Sequence, residues 1–124
     1  MNYNFNFSFL KYGAPVVTIS SWGIGFNKGV IDFLERPEEI CIGYDEAQHA
    51  IGVTAWNGDP STPHYTFAPR EKNGWVRIGA RDFTRYLSSA TKIDFQKGAK
   101  QFTPELDKDN HMVVIIIDED HIKS

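Results

Sequence analysis

The sequence predicts one α+β domain, rich in strands and carrying two short helices. Three observations lead there. Runs of β-strand character recur along the chain, among them "PVVTIS" (15–20), "WVRIG" (75–79) and "HMVVIIID" (111–118). Two other stretches, 27–34 and 80–90, place apolar residues at i, i+3 and i+4. The 124 residues, 41% hydrophobic and 14% aromatic, suffice for one packed core and are too few for two ordinary domains.

In order, Tyr3, Phe5, Phe7 and Phe9 alternate with Asn4, Asn6 and Ser8, the pattern of a half-buried strand. Gly13 and Pro15 break that run, and 15–20 forms the next strand. "SWGIGFNKGVIDFL" (21–34) reads as a strand-to-helix corner. Asn27 is the expected N-cap, and Val30, Ile31, Phe33 and Leu34 give the helix its apolar face. Pro37 ends it. Residues 38–56 form the clearest hairpin: Ile40, Ile42 and Tyr44 lead into "DEAQHA", and Ile51, Val53 and Ala55 return. "NGDPSTPH" (57–64) is a loop with strong turn chemistry, followed by a short strand in "HYTFAP". After "WVRIG" a helix begins near Ala80, with Phe83, Tyr86, Leu87 and Ala90 on its core face. "KQFTPEL" (100–106) and "HMVVIIID" are strands around the turn "DKDN", the second expected to be central and buried on both faces.

Two halves of this layout match. Residues 15–56 and 75–118 each read β-α-β-β, joined by the loop 57–74. Leu34 and Leu87 close the two helices, and acidic residues mark both hairpin turns, Asp45-Glu46 and Asp107-Asp109. Such halves would share one core about a pseudo-two-fold axis inside the single domain 1–124.

Chemistry-bearing motifs are absent. Gly23, Gly25 and Gly29 are spaced GxGxxxG, not as a dinucleotide fingerprint, and no GK[ST] follows. The glycines are better suited to letting backbones pass closely. His49, His64, His111 and His121 show no metal-ligand spacing, and "DKDNHMVVIIID" lacks the glycine and glutamate of a calcium loop. The serines lack a nucleophile elbow. Cys41, the single cysteine, reads as a small apolar strand residue. No enzyme, cofactor or metal is expected. No basic-then-apolar leader is evident, and no apolar run approaches the ~18 residues of a membrane span. A cytoplasmic protein without membrane contact is the expectation.

The order of strand, turn, short helix ending in Leu and hairpin with an acidic turn resembles the AbrB/SpoVT-type swapped-hairpin proteins, over 16–56 and more loosely over 75–117. That family comprises small DNA-binding transcription regulators and antitoxins, and the resemblance implies a duplicated swapped-hairpin barrel. Its pattern has a Gly-Arg pair, apolar residues, Pro, and a basic residue opening the helix. Trp22-Gly23 and Asn27 replace the first elements here, while Lys28 matches the basic position. In the second half Arg81 matches that position, Arg85 falls on a helix arginine position, and Arg77 lies close to the strand arginine.

Charge distribution points to the same half. Residues 70–100 carry eight basic and three acidic side chains in a chain of net charge −3. Arg81 and Arg85, at i and i+4, share a helix face, with Trp75 and Tyr65 nearby in sequence. The plain reading is a solvated face balanced by the acidic ends. The sharper one is a phosphate-contacting surface. The expectation is therefore a small non-enzymatic binding protein that contacts duplex DNA through Arg77, Arg81 and Arg85, with Lys28 as an accessory. The alternative is a protein-interaction or structural module that pairs with a partner, or with itself, through the N-terminal strand.

Overall fold

A computed structural model describes residues 2–3 and 14–123. The strand expected at 3–9 falls, Tyr3 apart, outside those residues. In chain order the elements are β1 (Val17–Ile19), β2 (Gly23–Asn27), α1 (Lys28–Phe33), β3 (Glu39–Asp45), β4 (Ala50–Ala55), β5 (Tyr65–Thr66), β6 (Trp75–Gly79), α2 (Arg81–Thr91), β7 (Lys100–Phe102), β8 (Glu105–Asp107) and β9 (Met112–Ile116). They build two antiparallel sheets, a four-stranded one in the order β6-β2-β1-β7 and a five-stranded one in the order β5-β3-β4-β9-β8. The mixed α+β architecture with two short helices is the one the sequence predicts. Neither helix is long and apolar enough to cross a membrane.

The two sheets share one core. Val17, Ile19, Ile24, Phe26, Val76 and Ile78 come from the first, and Ile40, Ile51, Val53, Val113 and Ile115 from the second. Strand alternation places them there: the rungs Val17–Phe26–Val76 and Ile19–Ile24–Ile78 point inward, and the rung between them, Thr18–Gly25–Arg77, points outward.

Each helix starts at one end of the β2–β6 ladder. Asn27 caps α1, its Oδ1 accepting from Val30 N at 3.2 Å and from Val16 N at 2.9 Å, while its Nδ2 donates to Ala14 O at 2.8 Å. That fixes the chain ahead of β1 against the helix. Gly29 suits that approach, because a Cβ would sit a tight 3.0 Å from the Ala14 carbonyl. Glu35 and Arg36, both with positive φ, end the turn ahead of Pro37.

Four expectations need correction. Residues 23–27 are not a corner but β2, a full strand between β1 and β6. The core face of α2 is Thr84 and Leu87 with Phe83, whereas Tyr86 is exposed and bonds Glu46. Thr84 can be buried because its hydroxyl has two carbonyl acceptors in reach, Arg81 O at 3.1 Å and Ser21 O at 3.2 Å. "KQFTPEL" is two strands in different sheets, divided at Thr103-Pro104, since Pro has no N–H for a ladder. β9 lies between β4 and β8 but buries one face, Val113 and Ile115, leaving Met112, Val114 and Ile116 half-buried.

The hairpin turns are built alike. Asp45 Oδ1 accepts from Gln48 N at 3.1 Å while Gln48 Nε2 returns to Asp45 Oδ2 at 2.9 Å. Asp107 Oδ1 accepts from Asn110 N at 3.2 Å while Asn110 Nδ2 returns to Asp107 Oδ2 at 2.8 Å. The next residue in each, His49 and His111, has positive φ. The strands that follow, β4 and β9, pair with each other antiparallel.

A clasp closes the chain beyond β9. Lys123 N donates to Gln101 O at 2.7 Å and Thr103 N to His121 O at 3.1 Å. His121 Nδ1 lies 2.6 Å from Asp118 Oδ1, and this bond raises the His121 pKa and holds the Asp118 carboxyl below its usual range. A raised histidine pKa stabilises the fold below its unfolded value of about 6.5, and that contribution is lost as pH rises through the folded value. The lowered Asp118 pKa gives stability above about pH 4 that is lost as pH falls through the folded value. The thermal midpoint of wild type minus that of His121→Gln should therefore be largest between about pH 4 and 6.5 and should shrink by pH 8.5. A difference independent of pH would remove the ion pair from this account.

Candidate nucleic-acid interface

The outer face of the four-stranded sheet is made by the outward rungs. β6 contributes Trp75 and Arg77, β2 contributes Gly23 and Gly25, and β1 and β7 contribute Thr18 and Gln101. These residues, with Ser20 and Trp22 of the β1–β2 turn, line a shallow cleft of about 290 Å³. The Trp75 ring lies beside Gly25, where an added Cβ would meet it at 3.5 Å, an ordinary contact distance. Arg77 Cζ sits 5.6 Å from the centroid of that ring, a cation–π distance. Trp22, at the other side, is 41% exposed. The lining contains one cation and no carboxylate.

The β1–β2 turn joins this face to α2. Ala80 N donates to Trp22 O at 3.1 Å, and Thr84 Oγ1 donates to Ser21 O. Helix α2 is thus docked by its first turn beside Trp22. Arg81 and Arg85 are exposed on it, on the side away from Phe83 and Leu87. Arg85 lies 3.7 Å from Asp82 in an ion pair fully open to water, which contributes little. Among the described residues Arg77 and Arg81 are in no ion pair.

Lys28 is placed differently. It opens α1 at the Asn27–Trp75 end of the β2–β6 ladder, whereas Arg81 opens α2 at the Gly23–Gly79 end. The five-residue ladder separates the two helix starts by roughly 14 Å. Lys28 Nζ is 2.7 Å from Asp32, which Arg36 also contacts, and Arg36 reaches Glu71 as well. Burial alone would raise the Asp32 pKa; the bond from Lys28 and the charge of Arg36 outweigh it and hold the carboxyl below its usual range. The Lys28 charge is matched locally.

Other expected neighbours are elsewhere. Tyr65 lines a separate apolar hollow of about 230 Å³ with Ile42, Tyr44, Ile78 and Phe83. His49 and His111 sit at opposite ends of the β4–β9 ladder, His49 O accepting from Ile117 N and His111 O from Thr54 Oγ1, so they cannot share an ion. Cys41 is half-buried, and burial pushes its thiol pKa up, which disfavours the thiolate. Tyr44 Oη is engaged by His49 Nδ1 at 3.0 Å.

Trp22 and Gln101 belong to the cleft but carried no signal of their own in the sequence. The alternation Trp75, Arg77 against Val76, Ile78 did mark one rim. The other rim depends on a β1–β2 hairpin hidden in glycine-rich sequence. Comparison with known proteins finds no matching family model, no similar curated protein and no similar solved structure.

Proposed function

We propose that this chain is a small binding protein that holds a nucleic-acid backbone across the outer face of its four-stranded sheet. The observation that carries this reading is the carboxylate-free cleft. Arg77 projects from its floor, and its rim, the Ser20–Trp22 turn, is hydrogen-bonded to the helix bearing Arg81 and Arg85. Guanidinium groups keep their charge and suit phosphate oxygens, and their attraction is independent of sequence. This makes Arg77, Arg81 and Arg85 the phosphate ligands and leaves Lys28, matched by Asp32, at the periphery.

The same reading takes the fold as an internally duplicated swapped hairpin. The two Asp-x-x-(Gln/Asn)-His turns and the antiparallel pairing of β4 with β9 and of β2 with β6 support it, because a two-fold axis through both ladders would exchange the halves. β1 and β7 flank only one side of that arrangement.

Affinity for DNA should fall with salt, and changing Arg81 and Arg85 together to Ala should lower the slope of log K against log salt by about 2. Changing Lys28 and Arg36 to Ala, an equal loss of charge at matched sites, should alter the slope less. No binding at low salt, or equal slopes for both double variants, would contradict the reading.

A further inference from the structure

We infer that the cleft on the four-stranded sheet takes an unstacked base, so that the nucleic acid held there is single-stranded. This rests on the reading just given and adds the substrate class to it. Three features point to a flat ring rather than to backbone alone. Trp75 lies beside Gly25, where an added Cβ would meet its ring at an ordinary 3.5 Å, and is itself half-buried, so the ring is partly held by the sheet and partly open to the cleft. Arg77 Cζ lies 5.6 Å from the Trp75 ring centroid, and a base that stacks on the indole displaces this contact and frees the guanidinium for the adjoining phosphate. Trp22 also lines the cleft, on a turn whose bonds include Ser20 N to Gly23 O at 3.0 Å, Trp22 N to Ser20 Oγ at 3.3 Å and Ala80 N to Trp22 O at 3.1 Å.

The cleft floor is polar where a base edge would lie. Thr18 and Gln101 are paired across β1 and β7 on the same outward rung as Gly25 and Arg77, offering hydroxyl and amide donors and acceptors. A duplex buries the faces of its bases and presents only groove edges and phosphates, so it cannot use two indoles flanking a cleft on a sheet. A single strand can, and aromatic platforms beside cations are how such strands are held without sequence preference. The occupant is an anionic polymer rather than a neutral one because the lining holds Arg77 with no carboxylate, and Arg81 and Arg85 continue the positive charge past the Trp22 rim.

The test is binding of the full chain, at low salt, to fluorescent oligo(dT) and to a duplex of equal length and mixed sequence. Wild type should favour the single strand by about tenfold or more. Trp22→Ala and, separately, Trp75→Leu should each weaken oligo(dT) binding by roughly fivefold or more while changing duplex binding little. Trp22 is on an exposed turn, so its variant remains informative if Trp75→Leu fails to fold. Equal affinity for both probes, with neither tryptophan variant altering it, would overturn the single-strand inference and leave the phosphate reading standing. No binding to either probe would overturn both.

Discussion

Gly23→Ala is expected to destabilise the protein by about 3 kcal/mol, more than its single added carbon suggests. A Cβ at this position would lie 2.1 Å from the Ile78 carbonyl oxygen, 2.9 Å from Ala80 N and 3.0 Å from Gly79 Cα. All three are backbone atoms. None can rotate aside, so β2 and β6 would have to separate, taking with them the hydrogen bond from Ala80 N that seats α2. Gly79 is its partner across the same rung, yet a Cβ there meets nothing within 4 Å. Gly79→Ala should therefore cost less than about 1 kcal/mol, since alanine loses less chain entropy than glycine in a strand. Urea unfolding of the two variants reads the contrast, and equal losses would mean that the strands do not meet in this register.

Phe26→Ala should cost about 3–5 kcal/mol. Phe26 is wholly buried on the inward rung between Val17 and Val76, and its ring meets Phe67 edge-to-face at 5.6 Å. Phe67 is anchored by its N–H to the Glu38 carbonyl at 2.8 Å, beside the start of β3 in the second sheet. The cavity would open where the sheets meet. Tyr86→Ala removes a ring of similar size that is 45% exposed, so it should cost roughly 1 kcal/mol or less. Comparable losses at the two positions would contradict the core assignment and restore the sequence-based reading of α2.

Both variants probe the part of the fold that was hardest to read. Elements with plain periodicity were legible: the 39–45 and 50–55 hairpin, β6, the N-cap at Asn27 and the start of α2 all fall where expected. β2 was not, because two of its five residues are glycine and their low strand preference masked the alternation of Ile24 and Phe26. Gly23 does serve close backbone passage, at β6, so its role was legible while its element was not; Gly25 leaves room for a Cβ. Thr84 gives no apolar signal in the sequence, yet it is buried with its hydroxyl in reach of two carbonyls, Arg81 in its own helix and Ser21 across from it. The β-branched run of β9 suggested burial on both faces, but a branched side chain serves a half-open face equally well.

The candidate interface divides in the same way. Its arginines were visible as residues, since charge is additive along a sequence. Their placement was not: Arg77 leaves the outer face of β6, while Arg81 and Arg85 lie on a helix joined to that sheet through the β1–β2 turn. Lys28 shows the limit from the other side: its place at a helix start was legible, and its neutralisation by Asp32 four residues on followed only from the helix being formed.

The three tryptophans allow the most direct test of the claim that the outer face of the four-stranded sheet is the binding surface. Each indole N–H gives its own amide-type NMR signal, and Trp56 lies apart, stacked on His64 at 3.8 Å and bonded to the Asp59 carbonyl at 2.9 Å. Titration with an oligonucleotide at low salt should shift the Trp22 and Trp75 signals together and leave Trp56 in place. A shift at Trp56 alone, or three unmoved signals, would contradict the claim.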